Sequence, residues 1–472
     1  MQTECNTKDI EFQRHERREV AGRFDGGAIS SDAGGLLLRE VNTRARIVEQ
    51  AAGCFTDLRN PKLIEHTVAE LVAQRVYGLA LGYEDLNDHD RLRYDSMLAV
   101  AAGKRDPTGM DRRRREDRGK PLAGKSTLNR LELRPAAAPG GERYKKISFD
   151  LDAGMRLFTN LFIQGQSETP SVLVLDIDAT DDPIHGRQEG RFFHGYYGCY
   201  CYLPLYIFCG EALLWAELRT SNIDGSLGSV HALKIIVGML REKWPEVVII
   251  IRGDSGFCRD DLMTWCEEQS VHYLLGMSKN ARLNAIVKKD MNKAKRRYAE
   301  TGKASLVFRD FSYRTRKSWS ARRRVVGKAE YLPRKENQRF VVTSLPSWLV
   351  PARELYEQIY CARGDMENRI KEQQLDMFAD RTSAEFMRAN QIRLWFSSVA
   401  YCLMRMLREW GLRGTAMEKA QCHTIRERLF KIGARISITV RKVWIHYSNA
   451  YPFREIFEAV MRNLRRHLRV ET

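Results

Sequence analysis

Two uninterrupted apolar runs, each closed by acids, set the tightest limit on how this chain folds. The first is Ser171-Val-Leu-Val-Leu-Asp176-Ile-Asp178 and the second is Val247-Val-Ile-Ile-Ile-Arg-Gly-Asp254. Such short, largely β-branched runs lack helical spacing and read as strands buried on both faces. Between them a helix is expected over Val230–Lys243, where Ala232, Ile235, Ile236, Met239 and Leu240 share one face. A helix through Leu262–Cys266 and a strand at Tyr273–Met277 continue the alternation. Strands alternating with helices make an α/β sheet. In such sheets functional groups gather at the carboxyl ends of strands, which is where Asp176, Asp178 and Asp254 stand. Carboxylates crowded together repel one another, so they hold a proton or a divalent cation.

The flanking regions differ in pattern. Residues 1–135 read as helical after an extended start, with Leu36–Leu38, Val41 and Ile47, then Leu63, Val68, Leu71 and Val76, at helical spacing. A Pro/Gly/Ala stretch, Arg134–Gly141, reads as a linker. Aromatic strand segments are expected at Tyr196–Cys209 and Leu213–Leu218. From 280 to 350 the period becomes two, through Ser305–Phe308, Phe311, Tyr313 and Arg339–Thr343. That pattern predicts a strand-rich insertion rather than a continuation of the α/β sheet. Helical spacing returns from 351, through Leu394–Leu407, and runs into a basic tail. The ten cysteines show no framework spacing, and Cys199-Tyr-Cys201 suits free thiols on one side of a strand. Reduced cysteines point to a cytoplasmic protein. The ten histidines lack the spacing of a zinc site.

Charge indicates the partner. The chain carries 78 Lys+Arg against 60 Asp+Glu, a formal net charge of +18. A polyanion, most simply nucleic acid, is the expected partner. The excess is clustered at Arg112, Arg113, Arg114 and Arg115 with Arg118, Lys120 and Lys125; at Arg322, Arg323 and Arg324; and at Arg462, Arg465, Arg466 and Arg469. Gly119–Ser126 fits a nucleotide-binding P-loop letter for letter, but the preceding Met-Asp-Arg-Arg-Arg-Arg-Glu-Asp-Arg cannot be the buried strand that motif requires. No window approaches the roughly 18 apolar residues of a membrane span, and the first residues lack the apolar core of a secretion signal. Neither a membrane protein nor an exported one is expected.

One further helix carries chemistry. Tyr360, Arg363, Glu367 and Lys371 fall at i, i+3, i+7 and i+11, on one face. Glu367 in that setting suits a metal ligand, with Arg363 and Lys371 on phosphate oxygens. The same spacing also describes an ordinary amphipathic helix with a Glu367–Lys371 ion pair.

Asp178-Ala-Thr, Arg252-Gly-Asp254-Ser-Gly-Phe and Tyr360-Cys-Ala-Arg363-Gly-Asp-Met-Glu367 resemble the three acidic motifs of the DDE transposases of the IS4-like superfamily. The phrases Phe24–Val41, Leu86–Asp90, Leu122–Arg130 and Glu367–Glu372 resemble its IS1380 family, and together they span nearly the whole chain. The resemblance implies an RNase H-like catalytic core with a strand-rich insertion, a helical N-terminal domain and a helical C-terminal region. It divides the chain into a DNA-binding region (1–135), the first part of the core (142–279), a β-rich insertion (280–350), a core helix bearing the catalytic glutamate (351–411) and a basic helical region (412–472). Asp178, Asp254 and Glu367 would be catalytic and would hold two Mg²⁺ ions, for which Mn²⁺ can substitute. Tyr360, Arg363 and Lys371 would contact DNA phosphate, together with Arg112–Arg115 and Arg322–Arg324. Trp319 would stack on an unpaired base. The family's signature helix ends in a lysine where this chain has Gln374, so Lys371, one turn earlier, stands in for it. Asp176 shares a face with Asp178, but Asp178 fits the family's Asp-x-Thr. The implied partners are double-stranded terminal inverted repeats and target DNA, bound by a homodimer at the bacterial nucleoid in the cytoplasm.

Two rivals remain at this level. Asp176-Ile-Asp178-Ala-Thr180 also fits the Asp-x-Asp-x-Thr strand end of haloacid dehalogenase-like phosphatases, with Asp176 as nucleophile. That reading leaves Glu367 idle and the +18 charge unexplained. The other rival is a transposase-derived DNA-binding protein without catalysis, which the presence of all three acids opposes.

Overall fold

The computed structural model describes residues 9–132, 146–333 and 335–468. The linker expected at Arg134–Gly141, and Arg469 of the last basic cluster, lie outside them. The chain forms two compact units, one spanning Asp150–Cys402 and the other combining the chain's two ends, up to Phe149 and from Leu403.

The first unit is built on one eight-stranded sheet. Its strands are β1 (Val172–Ala179), β2 (Leu205–Cys209), β3 (Ala212–Glu217), β4 (Val248–Gly253), β5 (His272–Met277), β6 (Ser305–Tyr313), β7 (Arg323–Leu332) and β8 (Lys335–Thr343). They lie in the order β3-β2-β1-β4-β5-β8-β7-β6. β1, β4 and β5 run parallel, and every other neighbouring pair is antiparallel. Its helices include α1 (Leu151–Gly165), α2 (Ser229–Lys243), α3 (Asp260–Glu268), α4 (Lys288–Thr301), α5 (Gly364–Lys371) and α6 (Met387–Met406).

Because side chains alternate along a strand, the sheet buries two layers. Leu173, Leu175 and Ile177 of β1 and Ile249 and Ile251 of β4 pack with Met155, Ile236, Leu240, Leu262 and Cys266 from α1, α2 and α3. On the other face Ile250, Leu274, Val326 and Val341 pack with Leu355 and Tyr356, from the helical segment that leads into α5. Burying each such side chain contributes about 1.5–3 kcal/mol. A central strand apolar on both faces is therefore the stable reading of these runs.

The stretch from 280 to 350 departs from expectation. Residues 281–301 are almost wholly helical, as Ala281–Ile286 and α4. The strands β6–β8 are not a separate module: β8 pairs with β5, Leu274 opposite Thr343 and Met277 opposite Phe340, and extends the same sheet. Their alternating pattern reflects partial burial toward an antiparallel edge, which local periodicity cannot tell from an independent module.

In the second unit, the helix Val68–Ala80 is buried along nearly its whole length and starts on a capping box between Thr67 and Glu70. The strand Ala28–Ser30 pairs with Ala434–Ile438, which pairs with Val443–Tyr447. The region from 412 onward is thus helical only in part, chiefly at Arg454–Leu468. Ile436 alternates with Arg435 and Ser437, a strand pattern too short to stand out among basic residues. Among the described residues no helix is long and apolar enough to cross a membrane. Cys199 and Cys201 are free thiols.

Candidate active site

Register assembles the acids. In the parallel β1–β4 pair, Asp176 lies opposite Arg252 and Ile177 opposite Gly253. One step further along the same register sets Asp178 beside Asp254. Alternation turns Asp176, Arg252 and Asp178 toward the face covered by the segment that carries Tyr360, Arg363 and Glu367.

The two aspartates of β1 have different surroundings. Asp176 is buried, and both its oxygens accept from Arg252, Nη2 at 2.7 Å and Nε to the other. The remaining Arg252 amine donates to the Ile359 carbonyl. Burial raises the Asp176 pKa, with the Arg252 hydrogen bonds opposing. A carboxylate with both oxygens engaged by a buried guanidinium is a brace, and it is not free to act as a phosphatase nucleophile.

Asp178 faces the opening. Its Oδ1 accepts from the Ala179 amide at 2.9 Å and its Oδ2 from Arg363 Nη1 at 3.0 Å. The other arm of Arg363, Nη2, donates to Glu367 Oε1 at 2.8 Å. One guanidinium therefore spans two of the three candidate acids. Burial pushes the Asp178 carboxyl up to about 6; Arg363 pulls against that shift and Asp254 adds to it. Burial lowers the Arg363 pKa, but Asp178, Tyr360, Glu367 and Asp254 carry it above the ordinary arginine value. Asp254 caps the turn Ser255–Phe257 through the Gly256 amide at 2.8 Å. Glu367 keeps 49% of its side chain exposed while Asp178 keeps 17%, so the cluster opens to solvent on the Glu367 side.

Tyr360 completes this face. Its hydroxyl lies so close to Gly276 of β5 that a Cβ there would collide with it, and the backbone of Asp254 and Ser255 stands 3.0–3.1 Å from the same point. Lys371 is exposed and makes no ion pair among the described residues. Gln374, at the expected lysine position, donates to Asp182 Oδ1 at 2.8 Å and to the Asp181 carbonyl. Burial lifts Asp182 to about 8, and Gln374 pulls the other way. Gln374 is thus committed to a buried neighbour and unavailable to phosphate.

Several expected DNA contacts are structural. Trp319 is only 4% exposed, packs edge-on to Tyr313 and lies beneath the Arg323 guanidinium, so it cannot stack on a base. Arg323 is buried between Asp260 at 2.6 Å and Glu267 at 2.7 Å. Arg324 is held by Asp310 and by the Leu345 and Val350 carbonyls. Arg322 is exposed, with one amine on the Ser312 carbonyl. Arg112 is buried against Glu65 and His66, whereas Arg113, Arg114 and Arg115 are exposed. An acidic neighbour, Glu65 for Arg112 and Glu267 for Arg323, turns one member of a basic run inward, and composition does not reveal that.

Sequence reasoning missed three features. Arg252 was visible only as part of a motif, though strand parity sets it on the face of Asp176. Gly276 gave no signal. Tyr196, 86% exposed, packs edge-on to Tyr197, whose hydroxyl donates to the carbonyl of Ala179, next to Asp178.

Among the described residues no three His, Cys, Asp or Glu side chains form a ready metal-holding group. The donor set is nonetheless the kind that suits a hard divalent cation, oxygen only. It already draws one cationic group, Arg363, between two of its members.

The profile of the family described as transposase DDE domain group 1 matches residues 12–469. No curated protein matches the chain.

Proposed function

The chain belongs to the DDE transposases, and from that premise we propose that it cuts double-stranded DNA at terminal inverted repeats and joins the released 3′ ends to a target, by phosphoryl transfer at Asp178, Asp254 and Glu367. The observation that carries this reading is the Arg363 bridge between Asp178 and Glu367, two residues 185 and 4 positions away from it in sequence, beside Asp254. The strand order β3-β2-β1-β4-β5, with β2 antiparallel to both its neighbours and β4 and β5 parallel to β1, supports an RNase H-like core. In this reading β6–β8 are additions to that core's edge.

Asp178, Asp254 and Glu367 would hold Mg²⁺, two ions or Mn²⁺ in their place, which supply Lewis acidity at the phosphate and lower the pKa of the attacking oxygen. The protein's own groups prepare the site. Burial behind β1 and β4 keeps the carboxylates in a medium where charge interactions are strong. Asp176 and Arg252 fix the register of the two strands. Arg363 neutralises Asp178 and Glu367 until another cation takes that charge, and its planar fork suits a phosphate oxygen. Tyr360 and the exposed Lys371 flank the same face. In the first step a water oxygen displaces the 3′-oxygen of the element's terminal phosphodiester. In the second, that 3′-hydroxyl displaces a target phosphodiester oxygen. The helical region 1–135 reads the repeats, Arg113–Arg115, Arg322 and the face of Arg462, Arg465 and Arg466 add phosphate contacts, and two copies synapse the two ends. The phrases at Phe24–Val41 and Leu122–Arg130 favour the IS1380 family, and the bacterial nucleoid as the place of action.

The test is cleavage of a duplex carrying the element's end, with Mg²⁺ and with the metal chelated. The expected outcome is metal-dependent nicking by the wild type and none by Glu367→Gln. Cleavage by Glu367→Gln at the wild-type rate would overturn the assignment.

A further inference from the structure

The unit formed by the chain's two ends contains a cleft of about 540 Å³ whose lining includes six arginines and three carboxylates. All six cations are arginine, the side chain whose fork matches phosphate oxygens two at a time. The carboxylates are already engaged: Glu65 with Arg112 at 3.0 Å, Asp117 with Arg93 at 3.0 Å and Asp90 with Lys125 at 3.3 Å. Arg59 is held by Asp57 at 2.7 Å. The side chains of Arg114 and Arg130 have no hydrogen-bond or ionic partner among the described residues, and neither do the side-chain hydroxyls of Ser126 and Thr127.

Two further observations describe the charge of the cleft. The Nε–H groups of Arg93 and Arg112 are buried and have no acceptor among the described residues, and Arg112 is only 8% exposed. Two guanidinium N–H groups left without an acceptor add to the positive potential of the cleft wall. The field there is also positive. Burial first, then Lys104, Arg112, Arg93 and Arg59, drives the His66 pKa down to about 2, which keeps its ring neutral. That neutral ring lies against the Arg112 amine.

We propose that this cleft is a phosphate-binding site for the DNA backbone, with Arg114 and Arg130 as its free ligands, Ser126 and Thr127 as neutral donors and the engaged Arg112 as the buried positive charge of its floor. The proposal rests on the reading of the chain as a DNA-acting enzyme, and it deepens that reading by assigning a grip to the unit that lacks the acids. Arg112 acts from beneath, whereas Arg113 spends one amine on the Lys62 carbonyl. Of the P-loop lettering Gly119–Ser126, Gly124 and Ser126 line the cleft, so the segment contributes one of its two hydroxyls without a nucleotide.

The test uses the full-length protein and two duplexes, one carrying the element's end and one of scrambled sequence, with binding measured across a salt series. Arg114→Ala/Arg130→Ala is expected to weaken binding about tenfold or more on both duplexes and to reduce the slope of log K against log salt by about 1 for each phosphate that is no longer neutralised. Arg114→Lys/Arg130→Lys should recover most of the slope. Neither arginine is paired, so the variant's melting temperature should match the wild type, which separates weakened grip from a damaged fold. An unchanged slope with unchanged affinity overturns the proposal. Stabilisation of the wild type by pyrophosphate, with DNA binding indifferent to both arginines, overturns it in favour of a small free phosphate. A wild type that binds with the expected slope but never cleaves counts against the transposase chemistry and leaves this site standing. One that cleaves while its binding ignores the arginines counts against this site alone.

Discussion

The acid cluster of the sheet unit and the arginine cleft of the terminal unit follow inverted charge plans. In the first, Asp178, Asp254 and Glu367 crowd around one guanidinium, Arg363. In the second, six arginines line a cleft, and three of them, Arg112, Arg93 and Arg59, act with Lys104 on one ring that stays neutral, His66. Each site holds an excess of one charge that the fold does not neutralise, at a cost in stability that only a ligand of opposite sign offsets. On the proposed reading the acids take cations and the arginines phosphate, the two components of a metal-assisted reaction on DNA. The comparison also separates charges that hold the fold from charges kept for function. Arg252 and Arg323 are fully engaged, whereas Arg114 and Arg130 are not.

The largest effect should come from removing a majority charge in the acid cluster. Asp254→Asn is expected to lower end cleavage by about 10³-fold or more, since it removes a group that acts as part of a unit. The same change relieves the charge that raises the Asp178 pKa, so the melting temperature at pH 8 should hold or rise slightly. A variant that loses activity because it unfolds would break the comparison. Next in size is the brace. Arg252→Ala leaves Asp176 charged and buried, and breaking such a pair costs about 3–5 kcal/mol. Denaturant unfolding should register that loss, while Arg114→Ala in the cleft should stay within about 0.5 kcal/mol. Equal effects for the two would erase the distinction between braced and free arginines. Gly276→Ala comes third: its methyl would meet the Tyr360 hydroxyl and the Asp254 backbone, an overpacking worth about 1–3 kcal/mol. Because the collision occurs beside the acids, cleavage should fall more than stability alone explains, and Tyr360→Phe in the same background should recover part of both.

The sequence was informative where a property is local. The runs ending in Asp178 and Asp254 read as strands because their apolar residues are contiguous, and both strands form. The choice between Asp176 and Asp178 stayed open for a physical reason: residues two apart share a face, so parity cannot separate them. What distinguishes them in the fold is the partner strand, where Arg252 stands opposite Asp176, and a register between distant strands leaves no local mark. The same blindness made β6–β8 look like a separate module, since the β5–β8 pairing joins residues some 65 positions apart. Basic runs misled in a different way. Arg112 and Arg323 sit among exposed arginines, yet Glu65 and Glu267 turn them inward. Trp319 was drawn toward DNA by its arginine neighbours, although one of them, Arg323, covers its ring inside the core.

The last prediction concerns the sign of the pH response, which should differ between the units. His66 titrates near 6.5 when unfolded and at about 2 in the fold, so the unfolded chain binds the extra proton. Its contribution is full above pH 6.5 and is lost as pH falls below that value. Asp178 is the mirror case, with 3.8 unfolded against about 6 folded. Here the folded state holds the proton more tightly, so the contribution is present below pH 3.8 and is lost as pH rises through 6. Between pH 4 and 6, raising the pH should therefore stabilise the terminal unit and weaken the sheet unit, each by up to about 1.4 kcal/mol per pH unit for one group. Hydrogen exchange read separately over Val68–Ala80 and over β1 and β4, without divalent cations and corrected for intrinsic rates, should show opposite slopes. His66→Gln should flatten the first and Asp178→Asn the second. Slopes of the same sign in the wild type would mean that the two sites do not hold opposite charge in excess, and the inverted charge plan would fail with them.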